Sequence, residues 1–464
     1  MNRQFARAVI AAAAVMAVSA CNPDALNVRD YNRPTVEGVA KDPNGIQLLA
    51  TGILDAERDQ WSGMVNDFGY FGRESYQYST TDARSVSNYL IGIPGPKLDP
   101  AGFAAGNWNG RFQQMRNVKA FNKTIDASTL TDAQKRAAKG FSNTIAALDA
   151  LYLIISRDTL GIPVTITDVI TQPAPFVTRD SAYKFIVGTL DAAKADLQAG
   201  GAAFPFTMHT GWTGFNTPST FLRFNRAIAA RANIYRGSLG CGASCYQAGL
   251  TALAETWIPA LGSAVTRTIL DQGVYHIYST TAGDTQNGAS SVVNGQLYAH
   301  AQPITGADSA DLRKAKLTPL AAPVPAPGAG GIPATQKFAI YPTNSSPGPV
   351  VRAEELLLLR AEANIMTGNA NAALQDINAV RTTSGGLTAL ASLGTTQAQQ
   401  LDALLYESWL SLLFEGHRWH DMRRYGRLGQ LPLDRPNHFV ARVMPIPNAE
   451  CLARVTINKP PAGC

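Results

Sequence analysis

Four stretches of this chain repeat one device: apolar residues at three- and four-residue steps, then a glycine stop. Residues 178–199 offer Thr178 or Asp180 as N-cap, carry Tyr183, Ile186, Leu190, Ala193 and Leu197, and end at Gly200-Gly201. Residues 219–236 carry Phe221, Phe224, Ile228 and Tyr235 before Gly237. Residues 353–367 carry Leu356, Leu359, Ala363 and Met366 before Gly368. Residues 370–383 carry Ala373, Ile377 and Val380 before Gly385-Gly386. The spacing is that of amphipathic helices with C-terminal stops. A fifth window, 399–414, holds Leu401, Leu404, Leu405, Leu412 and Leu413, and 130–156 reads as one long helix, strongly apolar from Ala146 to Ile155. No such helix can bury its apolar face alone, so successive helices must stack. The expectation is a mostly α, tetratricopeptide-like array of helix pairs, although no strict 34-residue self-similarity is present.

Two regions interrupt the pattern. Residues 61–110 are rich in aromatics, Gly, Ser and Asn, and 265–349 hold few helical windows. The latter contains TPLAAPVPAPGAGGIP at 318–333, which must be loop or extended chain. The expected architecture is one domain over 21–464. Its helical scaffold lies at about 105–264 and 350–426, and its loop-rich insertions at about 61–110 and 265–349, where binding surfaces on a rigid frame usually lie.

The N-terminus sets an expected compartment. In MNRQFARAVIAAAAVMAVSA, Arg3 and Arg7 precede an apolar run from Ala8 to Val18 and the small pair Ser19-Ala20, the pattern of an export signal. The following Val18-Ser19-Ala20-Cys21 is similar to a bacterial lipobox, so Cys21 is the expected lipidation site. Two or more acyl chains would hold the body stably at a membrane, and the polar, Pro- and Gly-containing 22–45 suits a leash. Past the first twenty residues no uninterrupted apolar run of about 18 occurs, so the anchor would be the only membrane attachment. Basic residues exceed acidic ones by only 40 to 34, without clusters, which speaks against nucleic-acid binding. The remaining cysteines are local pairs, Cys241 with Cys245 and Cys451 with Cys464. In an oxidising compartment both are disulfide candidates, worth about 2 and about 3 kcal/mol by loop entropy.

Residues 412–426, LLFEGHRWHDMRRYG, resemble the C-terminal signature of the SusD/RagB family of outer-membrane nutrient-binding lipoproteins. Phe414, Glu415, Gly416, Arg418, Trp419, Asp421, Met422, Arg423, Arg424, Tyr425 and Gly426 match; His420 stands where the family has Phe or Tyr. Arg352-Ala353-Glu354 with the later Arg360-Ala361-Glu362-Ala363, then Asn378 and Arg381, Gly161-Ile162-Pro163 and Pro445-Ile446-Pro447 resemble family segments in the family's order. The resemblance implies a non-catalytic receptor that binds a glycan or oligopeptide outside the cell. It also implies delivery to a SusC-like, TonB-dependent outer-membrane transporter, with no cofactor and no metal.

Within the block, His417 and His420 share a helix face, but neither an H-E-x-x-H motif nor a third ligand at metal spacing accompanies them. Acid and base alternate instead, and the spacing suggests the pairs Glu415–Arg418 and Arg418–Asp421. The signature residues Phe414, Glu415, Gly416, Arg418, Trp419, Asp421, Arg423 and Arg424 are therefore read as structural. No G-x-S-x-G elbow or Walker A loop is present, and no carboxylate pair is singled out for glycoside hydrolysis.

A receptor of polar oligomers needs aromatic faces ringed by hydrogen-bonding groups. The first loop-rich region supplies Tyr70, Phe71, Arg73, Tyr76, Tyr78, Tyr89 and Trp108; the second supplies Tyr275, Tyr278 and Tyr298. Arg73, Tyr76, Tyr89, Trp108 and Tyr298 are the candidate ligand contacts. The rival readings are a helical-repeat scaffold of another envelope complex, without a ligand, and an envelope hydrolase.

Overall fold

A computed structural model describes residues 36–464 apart from 43, 93–94, 103–104, 170–171, 456–460 and 462. The export signal, Cys21 and most of the expected leash lie outside the described residues. Helices follow in chain order as α1 (Gly45–Phe71), α2 (Asn109–Ala127), α3 (Asp132–Arg157), α4 (Arg179–Gln198), α5 (Pro218–Arg236) and α6 (Ala243–Leu253). After a long insertion come α7 (Ala353–Met366), α8 (Ala370–Thr383), α9 (Gln397–Ser411) and the short α10 (Arg418–Arg424) and α11 (Asn448–Val455). From α1 to α6 each helix packs on its predecessor; α7 rejoins the run by packing on α5 and α6, and then carries α8 and α9. The fold is mostly helical, as the periodicity requires.

Local chemistry sets the helix starts. Thr131, Thr217 and Thr396 each form a capping box, with Gln134, Thr220 and Gln399, at the starts of α3, α5 and α9. Thr178, rather than Asp180, caps α4 by accepting from the Ser181 N–H. Such caps satisfy amides that the first helical turn leaves without partners. Every residue of α3 from Ala147 to Arg157 is buried, which makes it the axis around which α2, α4 and α5 gather. Full burial of each Leu or Ile there contributes roughly 1.5–3 kcal/mol. A second apolar cluster joins Leu357, Leu358, Ala361 and Ile365 of α7 to Ile377 and Val380 of α8 and Leu401 and Leu404 of α9.

The structure corrects one boundary. Residues 61–71, expected in a loop-rich region, complete the 27-residue α1. Trp61, Met64, Val65, Phe68 and Phe71 are buried at helical spacing along it. The period was present in the sequence, but Gly63, Gly69 and Asp67, all poor helix formers, masked it.

The insertion between α6 and α7 is irregular but supplies most of the strands. β1 (Ser75–Gln77) follows α1; β2 (Gly273–His276), β3 (Leu297–Ala299), β4 (Leu317–Val324), β5 (Ala334–Phe338) and β6 (Gly348–Arg352) lie in the insertion. One antiparallel sheet has the order β1-β3-β5-β4, and β2 pairs with β6. The proline-rich stretch begins as β4, which lies at the sheet edge and loses register between Pro319 and Val324. Proline lacks a backbone donor, so an edge position is where a strand tolerates it. β1 pairs with β3 in the register Tyr76↔Tyr298. That pairing joins the two loop-rich regions through residues more than 200 apart in sequence.

Candidate ligand site

The signature block builds the floor beneath this junction. Phe414 takes a left-handed backbone (φ 58°), and its ring stacks on Phe338 of β5 at 4.0 Å. Gly69 of α1 lies so close that a Cβ there would stand 2.8 Å from the Phe414 ring. Trp419 sits 5.2 Å from both Phe68 and Phe71 and donates its indole N–H to the Ala441 carbonyl at 2.6 Å. The ion pairs differ from those the spacing suggests. Glu415 accepts from Arg352 at 2.7 and 3.0 Å, while Arg418 donates to Gly72 and Gln302 and lies over the Trp409 ring. Asp421 pairs with Arg424, which also grips Glu362 of α7 with two bonds. His420 is buried against Arg423 and the Tyr235 ring, and burial pushes its imidazole well below the usual range. Glu362 and Glu415 are thus bound from other elements, because tertiary packing offers buried arginines geometry that a single helical turn cannot.

The five candidate contacts divide sharply by position. Arg73 is 1% exposed, with a left-handed backbone, and donates to the carbonyls of Pro432 at 3.2 Å and Phe439 at 2.5 Å. Tyr76, also 1% exposed, donates to Asp434 at 2.7 Å; His300 approaches the other Asp434 oxygen at 2.9 Å. Burial alone would raise the Asp434 carboxyl, but His300, Tyr76 and Arg73 outweigh it and hold the group below its ordinary value. Arg73 and Tyr76 therefore act in the interior, clamping 432–439 against β1, and present no surface to a ligand. Tyr298 is half-buried on β3, 6.0 Å from Tyr78, whose hydroxyl donates to the Ile332 carbonyl.

Tyr89 lines a cleft of about 310 Å³ with Gln77, Ser79, Asp82, Ser85 and Gln296. The β1–β3 pairing brings Gln296 to the same cleft as Gln77. The lining combines one aromatic ring, two amides, two hydroxyls and a carboxylate. Asp82 is held below its ordinary value by hydrogen bonds from Arg84. The Tyr89 hydroxyl reaches Asp67 at 3.3 Å, and Asn107 donates to the other Asp67 oxygen at 2.9 Å. Burial drives the Asp67 carboxyl up to about 7, against the opposing pull of Tyr89, Arg157 and Asn107. Trp108, 3% exposed, belongs instead to a separate cleft beside α2, with the Arg157 guanidinium 5.1 Å from its ring centre. Tyr89 is itself 6% exposed, its ring packed on Tyr70 and Phe71, so the cleft is mainly polar, which suits hydroxyl-rich ligands. Sequence reasoning missed Gln77, Ser79, Asp82, Ser85 and Gln296, because amides and hydroxyls give no pattern until a fold gathers them.

Both cysteine pairs are bonded, Cys241 to Cys245 and Cys451 to Cys464. Among the described residues no group of three His, Cys, Asp or Glu is placed to hold a metal ion, and no helix is long and apolar enough to cross a membrane.

Residues 334–453, which run from the start of β5 into α11, match the model of the SusD family. The fold over nearly the whole chain is likewise that of SusD-superfamily structures. NanU of B. fragilis superposes with a TM-score of 0.67 at 14% identity, over 93% of this chain and 99% of NanU. A SusD superfamily protein from Bacteroides vulgatus gives 0.64 at 16% identity, over 91% and 99% of the two chains. A SusD-like carbohydrate binding protein from the same organism gives 0.58 at 15% identity, over 81% and 82%. No curated protein matches the chain.

Proposed function

We propose that this protein is a non-catalytic, lipid-anchored receptor at the outer membrane that captures a nutrient oligomer, foremost a glycan, and passes it to a TonB-dependent transporter. The observation that carries the binding reading is the cleft at the β1–β3 junction, where Tyr89 stands among the amides and hydroxyls of Gln77, Gln296, Ser79 and Ser85. Amides and hydroxyls satisfy the hydroxyl groups of a sugar, and the exposed margin of Tyr89 adds an apolar contact. The carbohydrate-binding description of one structural relative supports the ligand class. The anchor and the transporter rest on the lipobox at Cys21 and the family resemblance.

The test is calorimetry of the full-length chain in detergent against a panel of neutral and acidic oligosaccharides and oligopeptides. Gln77→Ala and Gln296→Ala, at side chains outside the core, should each weaken a glycan hit at least tenfold while the thermal midpoint moves little. A panel that yields only peptide binding, or cleavage products from any polysaccharide, would overturn the reading.

A further inference from the structure

The second cleft, beside α2, has about the same volume, 320 Å³, and a different chemistry. Trp108, just before α2, and Phe112 and Arg116 on it line the cleft together with Glu450 and Arg454 of α11. Most of the charges around it are already committed. Arg454 bonds Glu450 at 2.6 Å and lies 4.8 Å from the Phe176 ring, which in turn stacks on Trp108. Lys119 and Lys123 on α2 share one carboxylate, Asp168, each at 3.0 Å, so that group is a net positive charge next to Ile166 and Thr167 of the cleft. Arg116 is the exception. It is exposed, and among the described residues it has no hydrogen bond and no ion pair.

Most exposed arginines are merely hydrated. Arg116 differs because it stands in a concavity, one helical turn from the half-buried ring of Phe112, with a positive surround. A guanidinium beside an aromatic face matches a ring that carries an anionic substituent, since its planar fork binds carboxylate with two parallel bonds. The excess positive charge around the cleft favours the same ligand sign.

We propose that this cleft is a second binding site, selective for a sugar unit bearing a carboxylate: the carboxylate on Arg116, the ring face on Phe112. The assignment rests on the reading of the protein as a glycan receptor but not on the β1–β3 cleft. It makes the two clefts a neutral-leaning and an acidic-leaning pair.

The experiment titrates full-length protein with oligogalacturonate, alginate and hyaluronate fragments, each beside its carboxyl-reduced, neutral form. At least one acidic form should bind tenfold or more tightly than its neutral counterpart. Arg116→Gln should abolish that preference, and Arg116→Lys should restore part of it. Rising salt should erode it as well. Equal binding of acidic and neutral forms, failure of all of them to bind, or a preference that survives Arg116→Gln would overturn the proposal. The Gln296→Ala variant separates the two clefts. If it abolishes neutral-glycan binding while no acid preference exists, the receptor reading stands and the second site falls.

Discussion

Arg424 shows how densely single residues are used in this molecule. It is buried over the rings of Tyr235 and Tyr425 while bonded to Glu362 and Asp421. Glu74, just after α1, is a contrasting case. It is buried, and only one of its carboxylate oxygens has a hydrogen bond, from the Phe414 N–H at 3.3 Å. Burial raises its carboxyl to about 8, because Arg418 and Lys316 only partly offset the lost hydration and Glu415 adds repulsion. The unfolded chain would release this proton near its ordinary value of 4.5, whereas the folded chain keeps it to about 8. The folded state therefore binds more protons across that window. Stability from this group is full below pH 4.5 and falls as pH rises toward 8. Glu74→Gln should remove that slope, so the variant gains on the wild type between pH 5 and pH 8. Paired urea titrations at the two pH values measure it, and a constant difference would refute the shift.

At the scale of elements, α1 connects the scaffold to the ligand region. Its first half packs on α2, and its last turns receive Phe414 and Trp419. Two of its glycines should respond oppositely to the same change. At Gly69 a methyl group would meet the Phe414 ring at 2.8 Å and the Ser75 hydroxyl at 2.9 Å, so Gly69→Ala should cost about 1–3 kcal/mol by overpacking. At Gly52 nothing lies within 4 Å, so Gly52→Ala should stabilise by about 1 kcal/mol through helix propensity alone. Chemical denaturation of the two variants provides the check; a shift of the same sign in both would mean that Phe414 does not pack as described.

Across the whole molecule the disulfides are local devices. Cys241–Cys245 ties the turn before α6 to that helix's first turn, and Cys451–Cys464 ties α11 to the chain end. Neither joins distant layers, so the stacked helices hold the body together by packing. Replacing Cys451 and Cys464 with serine should speed amide exchange in 448–455 and leave α3 unchanged. Faster exchange in α3 would show that the C-terminal bridge supports the global fold. The same separation explains how the second cleft can draw its lining from both the stable α2 and a tethered helix at the chain end.

How much of this was legible in the sequence depends on the range of the interactions. α3, α4, α5, α7, α8 and α9 follow from periodicity, with glycine stops after four of them, because those signals act within a few turns of chain; α6 carried no such signal. The fold resemblance was likewise visible in Phe414 to Gly426. Burial of Arg73 and Tyr76 and the partners of Glu415 and Arg418 were not, since each depends on residues far along the chain; the helical state of 61–71 was masked locally by Gly63, Asp67 and Gly69. Sequence determined that helices form and stack. Only the tertiary structure decided which polar groups meet, because the β1–β3 register, fixed by long-range strand pairing, gathers Gln77, Tyr89 and Gln296 into one cleft.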